Sequence, residues 1–376
     1  MKACLIEAPG RTRIVQYYPK PRLDQEHNAL VRVYAAAQNP PDSFSTRQDP
    51  GRPGHMMGSD FSGWVDQLLL SGEKRTTMTT ETTGKSRFDL EVGDRVCGMV
   101  LGNASKGSGS FAEYIATSSD LLVKVPDEIR MEEASTFGMS LWTAIQALHF
   151  KSNLEWPIRP PKKKGERDQP DEILIWGGAT SVGMFAIQLA NFSAFKVVDV
   201  AKSSHRELLE TYGADIIYDY SDRNSIERLM DENRNVALAL DCVASTSTVE
   251  ECIGLIRREG GHVHHVLPMP PDFQNPRQDQ VTTKFSLVHS MLGDNMSWSS
   301  YLFKEPIKET EVRKDFEMAK KWFSFDQGYV YQLIKEKRLK QLPVKISHVF
   351  HHTEEGLKLM DCDQLRGQKL VHILQS

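Results

Sequence analysis

The 376-residue sequence has few cysteines and no cysteine pair at metal-ligand spacing. Its five cysteines are scattered and odd in number: Cys4, Cys97, Cys242, Cys252 and Cys362. The absence of any Cys-x-x-Cys pair excludes a structural zinc site built from four cysteines. Scattered free thiols are typical of a reducing compartment, so we expect a cytoplasmic protein.

The sequence also lacks a long apolar run and a strong charge bias. No stretch approaches the roughly 20 apolar residues that a membrane-spanning helix needs, and the opening Met1–Val15 has no signal-peptide core. The formal net charge of −4 gives no electrostatic reason to expect nucleic acid or an anionic membrane as a partner. The length and the 40% hydrophobic content predict a globular protein with two domains.

The most informative stretch is Asp171–Asn191, which reads DEILIWGGATSVGMFAIQLAN. Glu172–Trp176 predicts a short buried strand, Gly177 and Gly178 begin a tight turn, and apolar residues recur at helical spacing after Gly183. This order suits the pyrophosphate of a dinucleotide, because the first N–H groups of the helix and the positive end of its dipole face the phosphates. An ordinary strand-to-helix turn can have the same glycine spacing.

The residues that follow continue the alternation of strands and helices. Lys196–Val200 predicts a second strand, Arg206–Tyr212 a helix, and Gly213–Tyr218 a turn into a third strand. Such a βαβαβ succession predicts a right-handed parallel sheet that binds its ligand at the carboxyl ends of the strands.

The loop after the second strand favours NADPH over NADH. A free ribose 2′-hydroxyl is usually held by an acidic residue at the end of this strand, whereas a 2′-phosphate needs cations and hydroxyl donors. Asp199 lies inside the strand, and Tyr220, after the third strand, is a further candidate for phosphate contact. A solvated basic turn is the alternative interpretation of the loop, whose polar residues are Lys202, Ser203, Ser204 and His205.

The two ends of the chain differ from its middle. Short strands such as Lys2–Ile6 and Ala29–Ala36 dominate the beginning. The tail returns to strand, helix and strand at His348–Phe350, Glu354–Met360 and Lys369–Leu374. In the last third, Gln274–Thr283 is predicted as a polar loop, Ser286–Met291 as a final strand and Val312–Lys337 as helical. We expect the tail to join the first domain, with the active site between the two domains, where ligand sites are common.

Several motifs in one order resemble the medium-chain dehydrogenase/reductase superfamily over nearly the whole chain. They are Gly58–Val65, Val92–Val96, the helix start Ala134–Phe137, the turn Gly177–Gly183, the turn Gly213–Asp215 and the ending Gly367–Val371. The resemblance implies an α/β fold with a β-rich GroES-like catalytic domain and a Rossmann doubly wound parallel sheet. It assigns 1–136 and 305–376 to the catalytic domain and 137–304 to the NADPH-binding domain.

The sequence departs from the zinc-dependent branch of that superfamily. Zinc alcohol dehydrogenases have a cysteine after the early strand and a Gly-His-Glu segment that supply metal ligands. The matching positions here are Asn39 and Gly58-Ser59-Asp60, and one carboxylate cannot replace a set of three ligands. The resemblance therefore implies a zinc-free reductase without a metal site, and His55 and His149 are interpreted as packing or surface residues.

Within the zinc-free group, the chain is most similar to the trans-acting enoyl reductases that serve fungal iterative polyketide synthases. The similarity lies in Asn39–Asp42, Gly58–Gly63, the long loop ending at Pro170, Ile175–Ser181 and Tyr218–Tyr220. It implies a monomer that takes part in secondary metabolism. This monomer would transfer hydride from NADPH to the β-carbon of an α,β-unsaturated acyl thioester. The carrier domain of a polyketide synthase, or of its hybrid with a nonribosomal peptide synthetase, would hold that thioester.

One departure from the relatives affects the catalytic assignment. Many of them have a lysine shortly after the Asn-Pro-x-Asp turn, whereas this chain has Phe44 between Ser43 and Ser45. A role of that lysine cannot be carried over, so no catalytic side chain is assigned, and water is the candidate proton source.

The resemblance also implies ligand-contacting positions. The predicted cofactor-binding residues are Asp42, Ser43, Phe44, Ser45, Gly178, Ala179, Thr180, Ser181, Val182, Gly183, Lys202, Ser203, Ser204, His205, Tyr220, Val266, Leu267, Gln368 and Lys369. The predicted substrate-channel residues are Phe137, Gly138, Met139, Ser140, Leu141, Trp142, Thr143, Ala144, Ser286, Leu287, Val288, His289 and Ser290. Trp142 is equally compatible with a channel wall and with plain core. Pro160–Lys164 is a candidate patch for the acyl carrier protein, although such a stretch is more often a solvated loop.

The sequence is also compatible with two other functions. A stand-alone NADPH-dependent quinone or enal reductase would share every cofactor motif and accept small soluble substrates. A non-catalytic NADPH-binding module of a synthase would bind the cofactor without oxidising it.

Overall fold

A computed structural model of the chain describes residues 1–47, 53–69, 89–104, 106–152, 154, 172–232, 235–293, 307–347, 353–362 and 364–374. The described residues form two compact units. The β-rich unit contains those within 1–139, 289–293 and 308–374, and the parallel-sheet unit contains those within 140–288 together with Ile307. The chain thus crosses between units at 139/140, 288/289 and 307/308, whereas the sequence-based prediction places the crossings at 136/137 and 304/305.

Fifteen strands and ten α-helices make up the regular structure of the described residues. The strands are β1 (Ala3–Ala8), β2 (Arg11–Val15), β3 (Ala29–Ala37), β4 (Asp60–Leu68), β5 (Arg95–Met99), β6 (Tyr114–Thr117), β7 (Val123–Lys124), β8 (Glu172–Trp176), β9 (Lys196–Val200), β10 (Ile216–Tyr218), β11 (Val236–Asp241), β12 (Gly261–His265), β13 (Val281–Phe285), β14 (Val344–Ser347) and β15 (Lys369–Ile373). The helices are α1 (Pro40–Arg47), α2 (Met131–Ala134), α3 (Met139–Ile145), α4 (Ser181–Phe192), α5 (Arg206–Tyr212), α6 (Arg223–Asp231), α7 (Thr246–Leu255), α8 (Glu309–Phe323), α9 (Tyr329–Lys335) and α10 (Thr353–Asp361).

The β-rich unit is built on a seven-stranded sheet in the order β14-β15-β3-β4-β5-β7, with β6 also paired to β3. The pairs are antiparallel apart from β14 with β15. Val31 and Val33 on β3 pack with Phe61 on β4 and with Phe111 in one buried apolar cluster. Arg32, which lies between the two valines, is exposed, as the alternation of side chains along a strand requires.

The parallel-sheet unit contains six parallel strands in the order β10-β9-β8-β11-β12-β13. Numbered along the unit, this order is 3-2-1-4-5-6, which is the doubly wound Rossmann arrangement. All five residues of β8 are buried because the strand lies inside the sheet. The predicted fold class is confirmed, and the order of the strands reverses beside β8, whose carboxyl end leads into Gly177 and Gly178.

The prediction of a final strand at Ser286–Met291 is wrong. The last strand of this sheet is β13, and Val288–Leu292 forms a 3₁₀ turn after it. Thr282 and Thr283 belong to β13, although they fell within the predicted polar loop Gln274–Thr283. As the outer strand in the described part of the sheet, β13 pairs only with β12, so it needs fewer apolar residues than β8.

The segment Val312–Lys337, predicted as helical, is divided into two helices. Two helices, α8 and α9, flank a turn in which the Gly328 N–H donates to the Ser324 carbonyl. Phe325 in this turn is fully buried in the core of the β-rich unit, so packing of its ring fixes the break.

The predicted patch Pro160–Lys164 and the predicted strand His348–Phe350 lie outside the described residues. None of the described helices has both the length and the apolar character needed to cross a bilayer.

Candidate functional site

The turn between β8 and α4 places backbone N–H groups at the carboxyl edge of the parallel sheet. Thr180 is the N-cap residue of α4, and its hydroxyl accepts a hydrogen bond from the Gly183 N–H at 3.0 Å. The first N–H to bond the Thr180 carbonyl within the helix is that of Met184. The N–H groups of Ser181 and Val182 are therefore not used by the helix and face its amino-terminal end, where an anion is favoured.

Two glycines allow the backbone to approach closely in this turn. A Cβ atom at Gly183 would overlap the Gly177 carbonyl oxygen, and one at Gly178 would overlap the Asp199 carboxylate. Only glycine fits these two positions without movement of the backbone or of Asp199. The predicted residues Gly178, Ala179, Thr180, Ser181, Val182 and Gly183 thus form one small-residue turn, which fits the pyrophosphate of a dinucleotide.

Asp199 on β9 lies directly behind this turn and is fully buried. Neither of its carboxylate oxygens has a hydrogen-bond partner of normal geometry in the part of the chain that the structure describes. Burial raises the pKa of the Asp199 carboxyl to about 8, and the nearby N–H groups of Gly178 and Val200 offset only part of that effect. The sequence placed Asp199 inside the strand, but it gave no sign that the side chain faces Gly178.

The loop after β9 brings together some of the residues predicted to hold a 2′-phosphate. Ser203, Ser204 and His205 form a 3₁₀ turn, and the Lys202 ammonium lies 5.9 Å from the centre of the exposed Tyr220 ring. Lys202 follows β9 and Tyr220 follows β10, so they lie close together because the two strands are adjacent and parallel.

An acidic residue that the sequence analysis missed lies beside this loop. The Asp219 carboxylate accepts hydrogen bonds from the Ser203 N–H at 2.7 Å and from the Ser221 N–H at 2.8 Å. The Ser221 hydroxyl, followed by the Ser203 donors, lowers the pKa of the Asp219 carboxyl. The Asp-x-Ser spacing is the sequence signal that could have identified it. Asp219 orders the loop, because its carboxylate holds the Ser203 and Ser221 N–H groups.

Val266 and Leu267, which are predicted to bind the cofactor, directly follow β12 and are half-buried. Nδ1 of His265, the last residue of β12, lies 2.7 Å from the Leu267 carbonyl, and the imidazole stacks on Phe285. At the end of β11, the Asp241 carboxylate accepts hydrogen bonds from two N–H groups and from the Thr248 hydroxyl. These contacts order the carboxyl edge of the sheet at β11 and β12, on the opposite side of β8 from β9 and β10.

The predicted substrate-channel residues fall into two segments, and each crosses from one unit to the other. In the first segment, Phe137, Leu141, Trp142 and Ala144 are buried apolar residues, Ser140 is buried, and Thr143 is half-buried. Gly138 lies against the Asp60 carboxylate, and Met139 begins α3. Their contact with a substrate stays a prediction.

The second segment, 286–290, runs from β13 into the following 3₁₀ turn. The Ser286 hydroxyl lies 3.1 Å from Nε2 of His264, and burial lowers the pKa of that imidazole to about 3. Leu287, Val288, His289 and Ser290 are buried. The Ser290 hydroxyl donates to the Asp315 carboxylate on α8 at 2.6 Å, a contact within the β-rich unit.

In the β-rich unit, the predicted residues Asp42, Ser43, Phe44 and Ser45 lie on α1. The Asp42 carboxylate accepts hydrogen bonds from the Asn39 N–H at 2.7 Å and from the Asn103 amide at 2.8 Å. Burial raises the pKa of the Asp42 carboxyl to about 6. Asp42 therefore secures the start of α1, where Pro40 is compatible with the first helical turn. Ser43 is buried, Ser45 is half-buried, and the Phe44 ring is 49% exposed.

A buried lysine connects the beginning and the end of the β-rich unit. The Lys369 ammonium donates to the Asn39 side-chain oxygen at 2.5 Å and lies 3.3 Å from the Asp60 carboxylate. The other Asp60 oxygen accepts the Met139 N–H. Lys369 is 2% exposed and Asp60 is fully buried, so this ion pair is shielded from solvent, while the adjacent Gln368 is half-buried.

The contacts of Lys369 indicate whether Asn39 and Asp60 could bind a zinc ion. Asn39 and Asp60 occupy the positions that match metal ligands in zinc alcohol dehydrogenases, and here both contact one ammonium group. The donors present are an amide and a single carboxylate that is already paired with a cation, so they do not fit a zinc ion. Within the described ranges, no group of three histidine, cysteine or acidic residues could hold a metal ion.

The buried ion pair predicts a specific pattern of stability losses. Either Asp60→Asn or Lys369→Met leaves one uncompensated buried charge, which should lower the free energy of unfolding by about 3 to 5 kcal/mol. The double variant removes both charges and should lose less than the sum of the two single losses. Urea unfolding of the three variants measures this coupling.

The control is the exposed pair Arg223 and Glu227, separated by 2.9 Å. Arg223→Met should change stability by less than about 1 kcal/mol because solvent screens this pair. Additive losses for Asp60 and Lys369 would contradict a coupled buried pair.

Asp199 predicts a dependence of stability on pH. Its pKa in the folded protein, about 8, lies above its ordinary value of 3.8, so the folded state binds more protons between these limits. The free energy of unfolding should therefore fall as pH rises through this window, by at most about 1.4 kcal/mol per pH unit. Asp199→Asn should remove that contribution, which urea unfolding at several pH values would measure.

The control is Val198→Ala, because Val198 is an equally buried neighbour that does not titrate. It should lower stability by a similar amount at every pH. If Asp199→Asn keeps the wild-type pH dependence between pH 4 and 8, the Asp199 carboxyl is not protonated in the folded protein.

Comparisons with known proteins agree with this architecture. Residues 25–127 match the family model described as the alcohol dehydrogenase GroES-like domain, and residues 181–305 match that of the zinc-binding dehydrogenases. The trans-enoyl reductase TOXD of Cochliobolus carbonum is 29% identical over 81% of this chain and 94% of its own length. The trans-enoyl reductase caaB of Aspergillus niger is 29% identical over 98% of this chain and 96% of its own.

Among solved structures, an alcohol dehydrogenase superfamily protein from Novosphingobium aromaticivorans has the same fold, with a TM-score of 0.72 at 18% identity over the full length of both chains. The two family matches together span both units and include the glycine turn from Ser181 onward. The chain therefore belongs to the medium-chain dehydrogenase/reductase superfamily, whose enzymes bind a nicotinamide cofactor.

Proposed function

We propose that this protein is an NADPH-dependent, zinc-independent enoyl reductase that acts in trans. Its substrate is an α,β-unsaturated acyl thioester on the carrier domain of a polyketide synthase or of a polyketide synthase–nonribosomal peptide synthetase hybrid. The observation that carries the proposal is the similarity to trans-enoyl reductases over 98% of the chain. The glycine turn and the cation-bearing loop of the parallel-sheet unit support it.

The residues of the chain have binding and orienting roles in this reaction. Bound NADPH supplies the hydride that adds to the β-carbon of the acyl group, and a proton adds at the α-carbon. The N–H groups of Ser181 and Val182 bind the pyrophosphate, and Lys202 with Tyr220 binds the 2′-phosphate. Val266 and Leu267 would contact the nicotinamide. Precise alignment of donor and acceptor supplies much of the rate enhancement in such a reaction.

No side chain is assigned as the proton donor. Phe44 stands where many relatives have a lysine, and a phenyl ring cannot donate a proton. The Asp42 carboxylate already accepts two hydrogen bonds and holds the start of α1. We therefore propose that water supplies the proton at the α-carbon.

We assign the preference for NADPH to Lys202 and Tyr220. The negative charge of the nearby Asp219 opposes binding of the 2′-phosphate. Lys202→Ala should raise the Kd for NADPH by about 10- to 100-fold, the effect of losing one charge-assisted contact to a phosphate. The Kd for NADH should change by less than about 3-fold, because NADH has no 2′-phosphate. Fluorescence titration with both dinucleotides measures these values.

Lys314→Ala, on the exposed surface of α8, is the control and should leave both constants unchanged. An equal loss of NADPH and NADH affinity in Lys202→Ala would show that the loop does not read the 2′-phosphate.

The reductase activity is tested by following the absorbance of the reduced nicotinamide during incubation with an α-methyl enoyl pantetheine thioester. We expect oxidation of NADPH with this thioester and slower oxidation with free quinones or enals. Gly183→Ala should reduce NADPH affinity and turnover at least 10-fold, because the added methyl group overlaps the Gly177 carbonyl.

The matched control is Gly254→Ala on α7, where an added Cβ meets no atom within 4 Å. It should keep wild-type activity, and circular dichroism of both variants verifies folding. Faster turnover of free quinones or enals would favour the stand-alone reductase. Tight NADPH binding without oxidation by any acceptor would favour the non-catalytic module.

A further inference from the structure

The Asp199 carboxyl is a buried acidic group beside the turn where the chain would hold the negatively charged pyrophosphate of its cofactor. It lies against Gly178, so closely that a Cβ atom there would overlap both carboxylate oxygens. Asp199 is fully buried, and its oxygens have no hydrogen-bond partner of normal geometry among the residues that the structure describes. The group therefore shares one wall of the glycine turn with the proposed pyrophosphate site.

No described cation compensates a negative charge on Asp199. On β8 and β9, Lys196 pairs with Glu172 at the opposite, amino-terminal ends of the strands. Helix α4 contains no ionisable side chain, and the only one on β10, Tyr218, donates its hydroxyl to Glu232. On α5, Arg206 donates to the Ile217 carbonyl and pairs with Glu210.

We propose that Asp199 is an affinity-determining residue for the dinucleotide: its protonated carboxyl permits the pyrophosphate to bind in the Gly177–Gly183 turn, and its ionised carboxylate opposes binding. This inference rests on the proposed function, because it takes the turn to be the dinucleotide site. The physical cause is repulsion between a buried carboxylate that has no described cationic partner and the two negative charges of the pyrophosphate across a single glycine.

The pH at which this effect appears follows from the burial of the group. Burial raises the pKa of Asp199 to about 8, so the carboxyl is largely protonated at pH 7 and largely ionised at pH 9. Where only the protonated form binds, the Kd rises up to 10-fold for each pH unit above the pKa. Because Asp199 faces the pyrophosphate turn and not the loop at Lys202, NADPH and NADH should show the same dependence.

The experiment is a fluorescence titration of the wild-type protein with NADPH and with NADH between pH 7.0 and 9.5. We expect a nearly constant Kd up to pH 7.5 and an increase of about 10-fold or more between pH 8 and 9.5 for both dinucleotides. Asp199→Asn, which is neutral at every pH, should bind as the wild type does at pH 7 and keep that Kd at pH 9.5. Val198→Ala is the packing control and should keep the wild-type increase.

Three outcomes would overturn the proposal. They are a pH-independent wild-type Kd, an increase that Asp199→Asn retains, and a loss of affinity in Asp199→Asn that is equal at all pH values. The last outcome would mean that the carboxylate contacts the cofactor as an acceptor. Dinucleotide binding with the expected pH dependence, but without reduction of any enoyl thioester, would contradict the proposed reductase function and leave the role of Asp199 standing.

A second measurement keeps the proposal testable if Asp199→Asn does not fold. The infrared carbonyl band of a protonated carboxyl can be followed in the wild-type protein without cofactor and with a saturating dinucleotide. We expect the band to persist above pH 7 and to disappear at a higher pH when the dinucleotide is bound, because binding favours the protonated form. A band that titrates at the same pH with and without dinucleotide would overturn the coupling.

Discussion

Close approach between the backbone after β8 and the start of α4 is the constraint on which the nucleotide-binding part of this protein depends. The Gly183 backbone lies against the Gly177 carbonyl, which leaves no space for a side chain at residue 183. The parallel pairing of β8 with both β9 and β11 buries this strand and holds its carboxyl end in place. A rigid strand followed by a small-residue turn presents free N–H groups to a phosphate without further rearrangement.

A different interaction organises the β-rich unit. The Lys369 ammonium, close to the carboxyl end of the chain, reaches Asn39 and Asp60 close to its beginning. Asp60 in turn accepts the Met139 N–H, and the Asn39 N–H donates to Asp42 at the start of α1. Four separate parts of the chain, at residues 39–42, 60, 139 and 369, are thereby joined in one buried polar network. An internal ammonium group thus supplies the positive charge that compensates the buried Asp60 carboxylate.

The two buried carboxyls Asp60 and Asp199 show how the same group acquires different properties from its surroundings. Burial raises the pKa of both. Asp60 has a lysine and a backbone N–H as partners, which offset much of the cost of burial. Asp199 has no described cation nearby, and it lies beside a turn that is suited to a negatively charged ligand. Asp60 therefore stabilises the fold of the β-rich unit, whereas Asp199 lies where its charge would influence ligand affinity.

The sequence by itself predicted a parallel sheet and the glycine turn at 177–183, because buried parallel strands and close backbone approach leave local patterns in a sequence. Its resemblance to the medium-chain dehydrogenase/reductase superfamily added the doubly wound order of that sheet. Prediction from the sequence failed where a partner far along the chain decides the outcome. The polar strand β13 depends on pairing with β12, and the break between α8 and α9 depends on burial of Phe325. Only the tertiary structure decided that Lys369 joins Asn39 and Asp60, and that Asp199 faces Gly178, because side-chain contacts between distant residues have no periodicity in the sequence.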